Sequence, residues 1–307
     1  MTLPREEFDK FHPEEDPYYN EVPVLKLDDL YPRSHKLPVI SVMISTWNRY
    51  SQLARSLECY ARQTFKDFEI LLNDDGSTQN IKGLVEKFSP YLNIKYYYTP
   101  RDSWVSCGSR AYKKMLPDAQ GRIICATHPE MMLTFDALQF VYDALLGEGR
   151  TDVSTYVVGN PDFNRPPEMW KWVSFRANFF GDYYKTVDKI KWHSSLDIFH
   201  TLHAWENNSG FAAQNNTWHS NRAEYPWWFF GATLRDCPIW DDFPVFVGHA
   251  GLDMWFIKYR TVNNILDVVP NKVMCYHQPH VTSAISPEGE IEDARVGEHK
   301  IIGGPGV

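Results

Sequence analysis

No stretch of this 307-residue chain approaches the roughly 20 consecutive apolar residues that a membrane-spanning helix needs. A signal-peptide core is missing too: the N-terminus, MTLPREEFDKFHPEED, is polar and acidic, so a cytoplasmic protein is the expectation. No two cysteines have C-x-x-C spacing. Cys59, Cys107, Cys125, Cys237 and Cys275 are scattered and odd in number, which reads as reduced thiols. No long basic run stands out, and the formal net charge is −8. That balance argues against broad, non-specific nucleic-acid binding, although it leaves room for a local basic patch. Internal repeats and low-complexity blocks are also absent.

What is present is enough apolar sequence for a sizeable core: 43% hydrophobic against 23% charged residues. The length suits one α/β domain with an elaborated second half. Residues 1–37 read as an N-terminal arm, with Pro4, Pro13, Pro17, Pro23 and Pro32 among paired acidic residues. The arm either wraps the surface or stays mobile.

The organising stretch is Pro38–Ser77. Val39–Ile44 and Phe68–Leu72 are short apolar runs that end in polar residues, the pattern of buried parallel strands. Between them Leu53, Leu57, Tyr60, Ala61 and Thr64 recur at helical spacing, with Arg55, Glu58 and Arg62 off that stripe. Further strands are expected at Ile94–Tyr98, Arg122–Ala126 and Val153–Val158, separated by helices near Ile81–Phe88, Ser109–Leu116 and Leu138–Leu145. The alternation implies a mainly parallel, Rossmann-like sheet flanked by helices. Beyond Gly159 the periodicity is lost. It returns as a strand at Pro226–Leu234, a helix at Asp253–Arg260 and a last strand at Val268–Tyr276.

Sheets of this kind bind ligands at the carboxyl ends of their strands. There the sequence places Thr46-Trp47-Asn48-Arg49 and Asn73-Asp74-Asp75-Gly76-Ser77. A carboxylate on such a turn accepts hydrogen bonds from a base N–H or a ribose hydroxyl, and Gly permits the tight bend. A capped surface turn is the plain alternative. Nine of the eleven Trp residues lie after position 160, including the pair Trp227-Trp228. Sugar rings stack on indoles, so a carbohydrate site is one explanation. The other is that large rigid side chains pack an irregular region.

Five segments carry a resemblance: PVISVMISTWNR, ARQTFKDFEILLNDDGST, SRAYKKMLPDAQGRIICAT, GATLR and GHAGLDMWF. Together they are similar to the inverting nucleotide-sugar glycosyltransferases of family two, which have the A-type fold. The likeness spans about Pro38–His280, and its first hundred residues match most specifically. It implies a nucleotide-sugar-binding α/β half at 38–158. An acceptor-binding and catalytic half of the same domain follows at 159–280, then a C-terminal tail at 281–307. Asp75 matches the family aspartate that holds the uracil, with Asp74 beside it. Thr46, Asn48 and Arg49 line the same nucleoside pocket, and Arg110 matches a basic residue near the donor. A UDP-sugar is the implied donor.

One departure stands out. Where the family has Asp-x-Asp, this chain has His128-Pro129-Glu130. His and Glu at i, i+2 can ligate Mn²⁺ or Mg²⁺, with His277 as a further ligand by resemblance. A metal-independent site, with Arg or Lys neutralising the diphosphate, and a degenerate donor site both stay open. Inversion by single displacement needs one base. The resemblance places it at Asp253, with Asp241, Asp242 and His249 as fallbacks, and Trp227, Trp228 and His249 on the acceptor side. The acceptor is expected to be a glycan or cell-surface polymer. A hydroxylated nucleic-acid base remains an alternative, as does a glycan-binding module without turnover. A nucleotidyltransferase is disfavoured, because STWNRYS lacks the Gly-rich phosphate loop.

Overall fold

The computed structural model describes residues 22–100, 108–147, 155–158, 170–175, 177–179, 230–246, 301–302 and parts of 255–278. The opening unit is present: Ile40–Thr46 is β1, Tyr50–Ala61 is α1 and Phe68–Asp74 is β2. Ile81–Phe88 (α2) is capped by Asn80, whose Oδ1 accepts the Gly83 N–H at 2.9 Å. Such a cap contributes about 1 kcal/mol. Then come β3 (Ile94–Tyr98), α3 (Gly108–Met115), β4 (Ile123–Thr127), β5 (Met131–Leu133) and α4 (Ala137–Leu146). The second half supplies β6 (Thr155–Val158), β7 (Lys171–Ser174), β8 (Ala177–Phe179), β9 (Phe230–Leu234) and α5 (Ile239–Asp242). It ends with β10 (Val245–Phe246), β11 (Leu266–Pro270), β12 (Cys275–His277) and β13 (Ile301–Ile302).

The main sheet has the order β3-β2-β1-β4-β9-β7-β11-β6. Its first four strands are parallel. β9 is antiparallel to β4 and β7, β7 and β11 are parallel, and β6 closes the far edge antiparallel to β11. The mainly parallel sheet read from the sequence is therefore there. Two expectations are corrected. The strand at 155–158 does not extend the parallel series beside β4 but sits antiparallel at the opposite edge. The run Val268–Tyr276 is not one strand: β11 belongs to the main sheet, and β12 joins a separate three-stranded sheet, β5-β12-β8.

Side chains alternate between the two faces. Ile40, Val42 and Ile44 pack with Leu53, Leu57, Leu84 and Leu138 under α1, α2 and α4. Met43 and Leu71 pack on the other face with Tyr112 and Met115 of α3 and with Trp172, Trp240 and Phe256. Trp172 and Trp240 are thus core residues, as the packing explanation of the Trp-rich half requires. At the amino edge, buried Glu69 accepts Ser41 Oγ–H at 2.6 Å and Gln120 N–H at 2.7 Å. Ser41 Oγ in turn accepts Gly121 N–H at 2.8 Å. A Cβ on Gly121 would lie 2.5 Å from the Ser41 nitrogen, so only glycine allows this approach into β4.

The expected amphipathic helix at α1 is buried on all sides, Arg55 and Glu58 included. One reason is the arm: residues 22–37 are docked. Arg62 holds Asp29 in a two-pronged pair (2.8 and 3.1 Å) and the Lys26 carbonyl at 2.6 Å, and it also reaches Glu58 at 3.3 Å. Farther along, Arg33 N–H bonds Pro90 O at 3.1 Å and Ser34 Oγ–H bonds Asp67 at 2.9 Å.

Candidate active site

The chain moves from β1 outward to β2 and β3, then returns to β4 on the other side of β1. That reversal opens a crevice beyond the carboxyl end of β1. In register, Thr46 lies beside Asp74 and Ile44 beside Thr127. Three polar segments therefore meet at this edge: 46–50, 74–80 and 127–131.

The first two are stitched together. Asp75 N–H donates to Thr46 O at 2.8 Å. Asn48 N–H donates to Ser77 Oγ at 2.9 Å. Asn48 Oδ1 accepts Thr78 N–H at 2.9 Å and Thr78 Oγ1–H at 3.2 Å. Tyr50 N–H donates to Gln79 Oε1 at 2.8 Å. The bends need special backbone: Gly76 has φ 77° and Asn48 has φ 49°. Asn is among the few side chains that tolerate that region. So Asn48, expected to line the nucleoside pocket, spends its carboxamide oxygen on holding the loops together.

Asp74 and Asp75 divide the work. Asp74 accepts Ser77 N–H and Tyr96 O–H, both at 2.9 Å, and so shapes the turn from inside. Burial first, then the Asp74 carboxylate, push the Tyr96 phenol well above its ordinary pKa, so it remains a donor. Asp75 and Arg49 are buried, at 7% and 8% exposed. Thr46 Oγ1 is buried and bonded to nothing among the described residues. Arg110 is exposed on the first turn of α3. One turn later, Lys114 Nζ caps the end of β3 through Tyr98 O (2.9 Å) and Thr99 Oγ1 (2.8 Å).

On the other side of the crevice lies His128-Pro129-Glu130, with His128 and Glu130 half-buried. Tyr112 O–H donates to Thr127 O at 2.8 Å, which fixes the exit of β4. His277 stands opposite Met131 in the β5–β12 ladder, so its backbone is brought beside this turn. Its side chain is outside the described residues. Among the described residues no group of three His, Cys, Asp or Glu side chains converges as a metal site. The imidazole of His128 and the carboxylate of Glu130 suit a divalent metal by type, and two described donors are what the fit amounts to.

Of the remaining expected residues, Asp253, Trp227, Trp228 and His249 lie outside the described set. Asp241 and Asp242 are placed away from this edge. They follow β9, whose end Leu234 pairs with Ile123 at the amino edge. There Asp242 accepts the Tyr259 hydroxyl, and the Asp241 carbonyl accepts Lys113 Nζ–H at 2.8 Å.

The sequence reading overlooked Gln52, Arg55, Ser56 and Gln278. All four are buried, and they join α1 to the 128–131 turn. The spacing of Gln52, Arg55 and Ser56 at i, i+3 and i+4 makes one polar helix face. That was the available signal.

The chain matches Glycosyl transferase family 2 over residues 41–203, more than half its length, and it belongs to that family. A 73-residue segment is 44% identical to chondroitin synthase of Escherichia coli, covering 23% of this chain and 10% of that protein. Over 163 residues the chain is 23% identical to the GalNAc(5)-diNAcBac-PP-undecaprenol beta-1,3-glucosyltransferase of Campylobacter jejuni, covering 50% of this chain and 52% of the relative. The chain thus spans from a tenth to about half of these relatives. Among solved structures, S. aureus TarS 1-349 in complex with UDP-GlcNAc aligns with TM-score 0.49 and 15% identity, over 79% of this chain and 59% of that one. No described helix is long and apolar enough to cross a membrane.

Proposed function

We propose that this protein is an inverting glycosyltransferase that moves a sugar from a UDP-linked donor to an acceptor hydroxyl. The observation that carries the reading is the crevice at the β1 switch point. A carboxylate turn centred on Asp75 lies on one side, and the His128-Pro129-Glu130 turn on the other, two strand spacings or about 10 Å away. The nucleoside lies on the Asp75 side, between Asp75, Thr46 and Arg49. The diphosphate extends toward the 128–130 turn, with Arg110 supplying positive charge.

A divalent metal would be held by His128 and Glu130, with His277 as a third ligand, and would neutralise charge on the departing diphosphate. Asp253 is the base that takes the acceptor proton during single displacement. Topology supports that role. Residues 255–256 and 259–260 are helical and precede β11, which begins at the amino edge, so the chain before them comes from the direction of the crevice. The acceptor is a glycan or other polyhydroxyl chain met by Trp227, Trp228 and His249. The pairing of Phe230 with Thr127 supports this, because β9 is entered at the strand end that leads to His128.

The test is release of UDP from a panel of UDP-sugars, with Mn²⁺ and with EDTA. Asp253→Asn should lower transfer about 10²–10⁴-fold while UDP still binds. UDP binding without turnover on any donor and acceptor overturns the enzyme reading. Full activity in EDTA removes the metal from His128 and Glu130.

A further inference from the structure

The 128–131 turn has a bond of its own, Met131 N–H to His128 O at 3.3 Å, and is held further from outside. Ser56 Oγ, fully buried on α1, lies 2.6 Å from Pro129 O and 2.9 Å from Met131 O. Its single proton is shared between the carbonyls on either side of Glu130. From the opposite end of the chain, Gln278 N–H donates to Glu130 O at 3.0 Å and so extends the β5–β12 ladder one step into the turn. The Gln278 side chain, 1% exposed, faces α1. Its Nε2 donates to Gln52 O at 2.9 Å and to Ser56 Oγ at 3.4 Å, and its Oε1 accepts Arg55 Nη1–H at 3.3 Å.

We propose that Gln278 and Ser56 are positioning residues that lock the His128-Pro129-Glu130 turn and the end of β12, which carries His277, into one register over α1. Burying polar groups costs free energy that apolar filler would not. The facing side of α1 is filled with Leu53 and Leu57. The face of Gln52, Arg55 and Ser56 lies where α1 supports this turn. Hydrogen bonds define direction where apolar contact defines only proximity. A site group must be held to within about half an ångström to act on a transition state. Gln278 lies next to His277 in sequence and bonds the carbonyl of Glu130. One residue therefore ties both halves of the candidate diphosphate site to α1, its main-chain N–H bonding Glu130 O and its side chain bonding α1. The residues themselves touch no donor; they act through the turn.

The proposal rests on the transferase reading, and its test separates the two. The variants are Gln278→Met, which keeps the volume and loses the polar ends, and Ser56→Ala. Hydrogen exchange is measured at the Met131 and Gln278 amides, UDP affinity by calorimetry, and donor turnover where the wild type shows it. Exchange at both amides should speed up at least tenfold. The turnover number should fall at least tenfold, with UDP affinity and donor KM within threefold of wild type. Unchanged exchange rates, or turnover within twofold of wild type, overturn the proposal. So does a parallel loss of turnover, UDP affinity and Tm, which marks plain structural damage. If the wild type releases no UDP from any donor, the transferase reading falls, and the exchange rates still decide whether the latch orders the turn.

Discussion

The two sides of the crevice are built in opposite ways. The Asp75 side is assembled from two loops about thirty residues apart that bond each other directly, Asn48 to Ser77 and Thr78, Tyr50 to Gln79. The His128 side has a bond of its own, Met131 N–H to His128 O, but draws its further support from elsewhere. It is held from α1 by Ser56 and from the far end of the chain by Gln278. Local stitching lets a short sequence motif carry a pocket intact. Remote latching makes the second side depend on the whole fold having closed.

The largest effect tests whether local contacts are small because they are near in sequence. Arg260 and Asp267 are seven residues apart, paired at 2.7 Å and buried against the Trp172 ring. Burial pushes the Arg260 pKa down and the Asp267 pKa up, so each depends on the other to stay charged. Arg260→Met should cost about 3–5 kcal/mol in urea unfolding, because it strands a buried carboxylate. Adding Asp267→Leu should recover most of that loss. A loss under about 1 kcal/mol would show that Asp267 finds solvent.

Next is Asp75→Ala. Removing a charged acceptor should weaken UDP binding by about 1.5–3 kcal/mol, roughly 10- to 150-fold. Exchange at the Met131 amide should stay unchanged, since the turn it belongs to is held through Ser56 and Gln278. Altered exchange at Met131 would break the comparison.

A smaller effect comes from Asn48. Asn48→Ala loses the bonds to Thr78 and places alanine at a left-handed φ, for about 1–3 kcal/mol together. Asn48→Gly keeps the backbone and loses only the bonds. The difference in Tm between the two variants separates stitch from strain. Equal Tm values would mean that φ contributes nothing.

The smallest concerns the arm. The Arg62 hydrogen bond holds the Asp29 pKa below its ordinary value. A depressed carboxylate gives stability that is present above the unfolded pKa and is lost as pH falls through the folded one. Protection of the Lys26–Leu30 amides, corrected for the intrinsic pH dependence of exchange, should therefore fall only below about pH 4. Asp29→Asn should abolish that pH step, and a step that persists assigns it to another group.

The contrast between the two sides explains what was legible in the sequence. β1 to β4 were readable because each is a short apolar run with a polar end. The DDGS turn was readable because its special φ demands glycine. The run Val268–Tyr276 misled because apolar character reports burial and not which sheet does the burying. The strand at 155–158 misled for a related reason: alternation gives element type, but a partner that comes from residues 266–270 leaves no local trace. Helix α1 showed its Leu stripe and hid its other faces, because the arm and the β5–β12 layer that cover Glu58 and Arg55 are distant in sequence. Trp172 and Trp240 announced themselves by composition, yet only packing distinguishes a core indole from a sugar platform.

The sheet order also sets a timetable. During synthesis β1 to β4 emerge in sequence and can pair as they appear. β4 then waits for β9, so its outer edge stays open while the chain from Thr127 to Phe230 is made. At about 5–20 residues per second that interval is on the order of ten seconds. For that time the nascent chain presents an unpaired, mostly apolar strand edge of the kind that recruits other strands. The sheet order thus leaves Ile123–Thr127 as the edge that needs shielding while the second half is made.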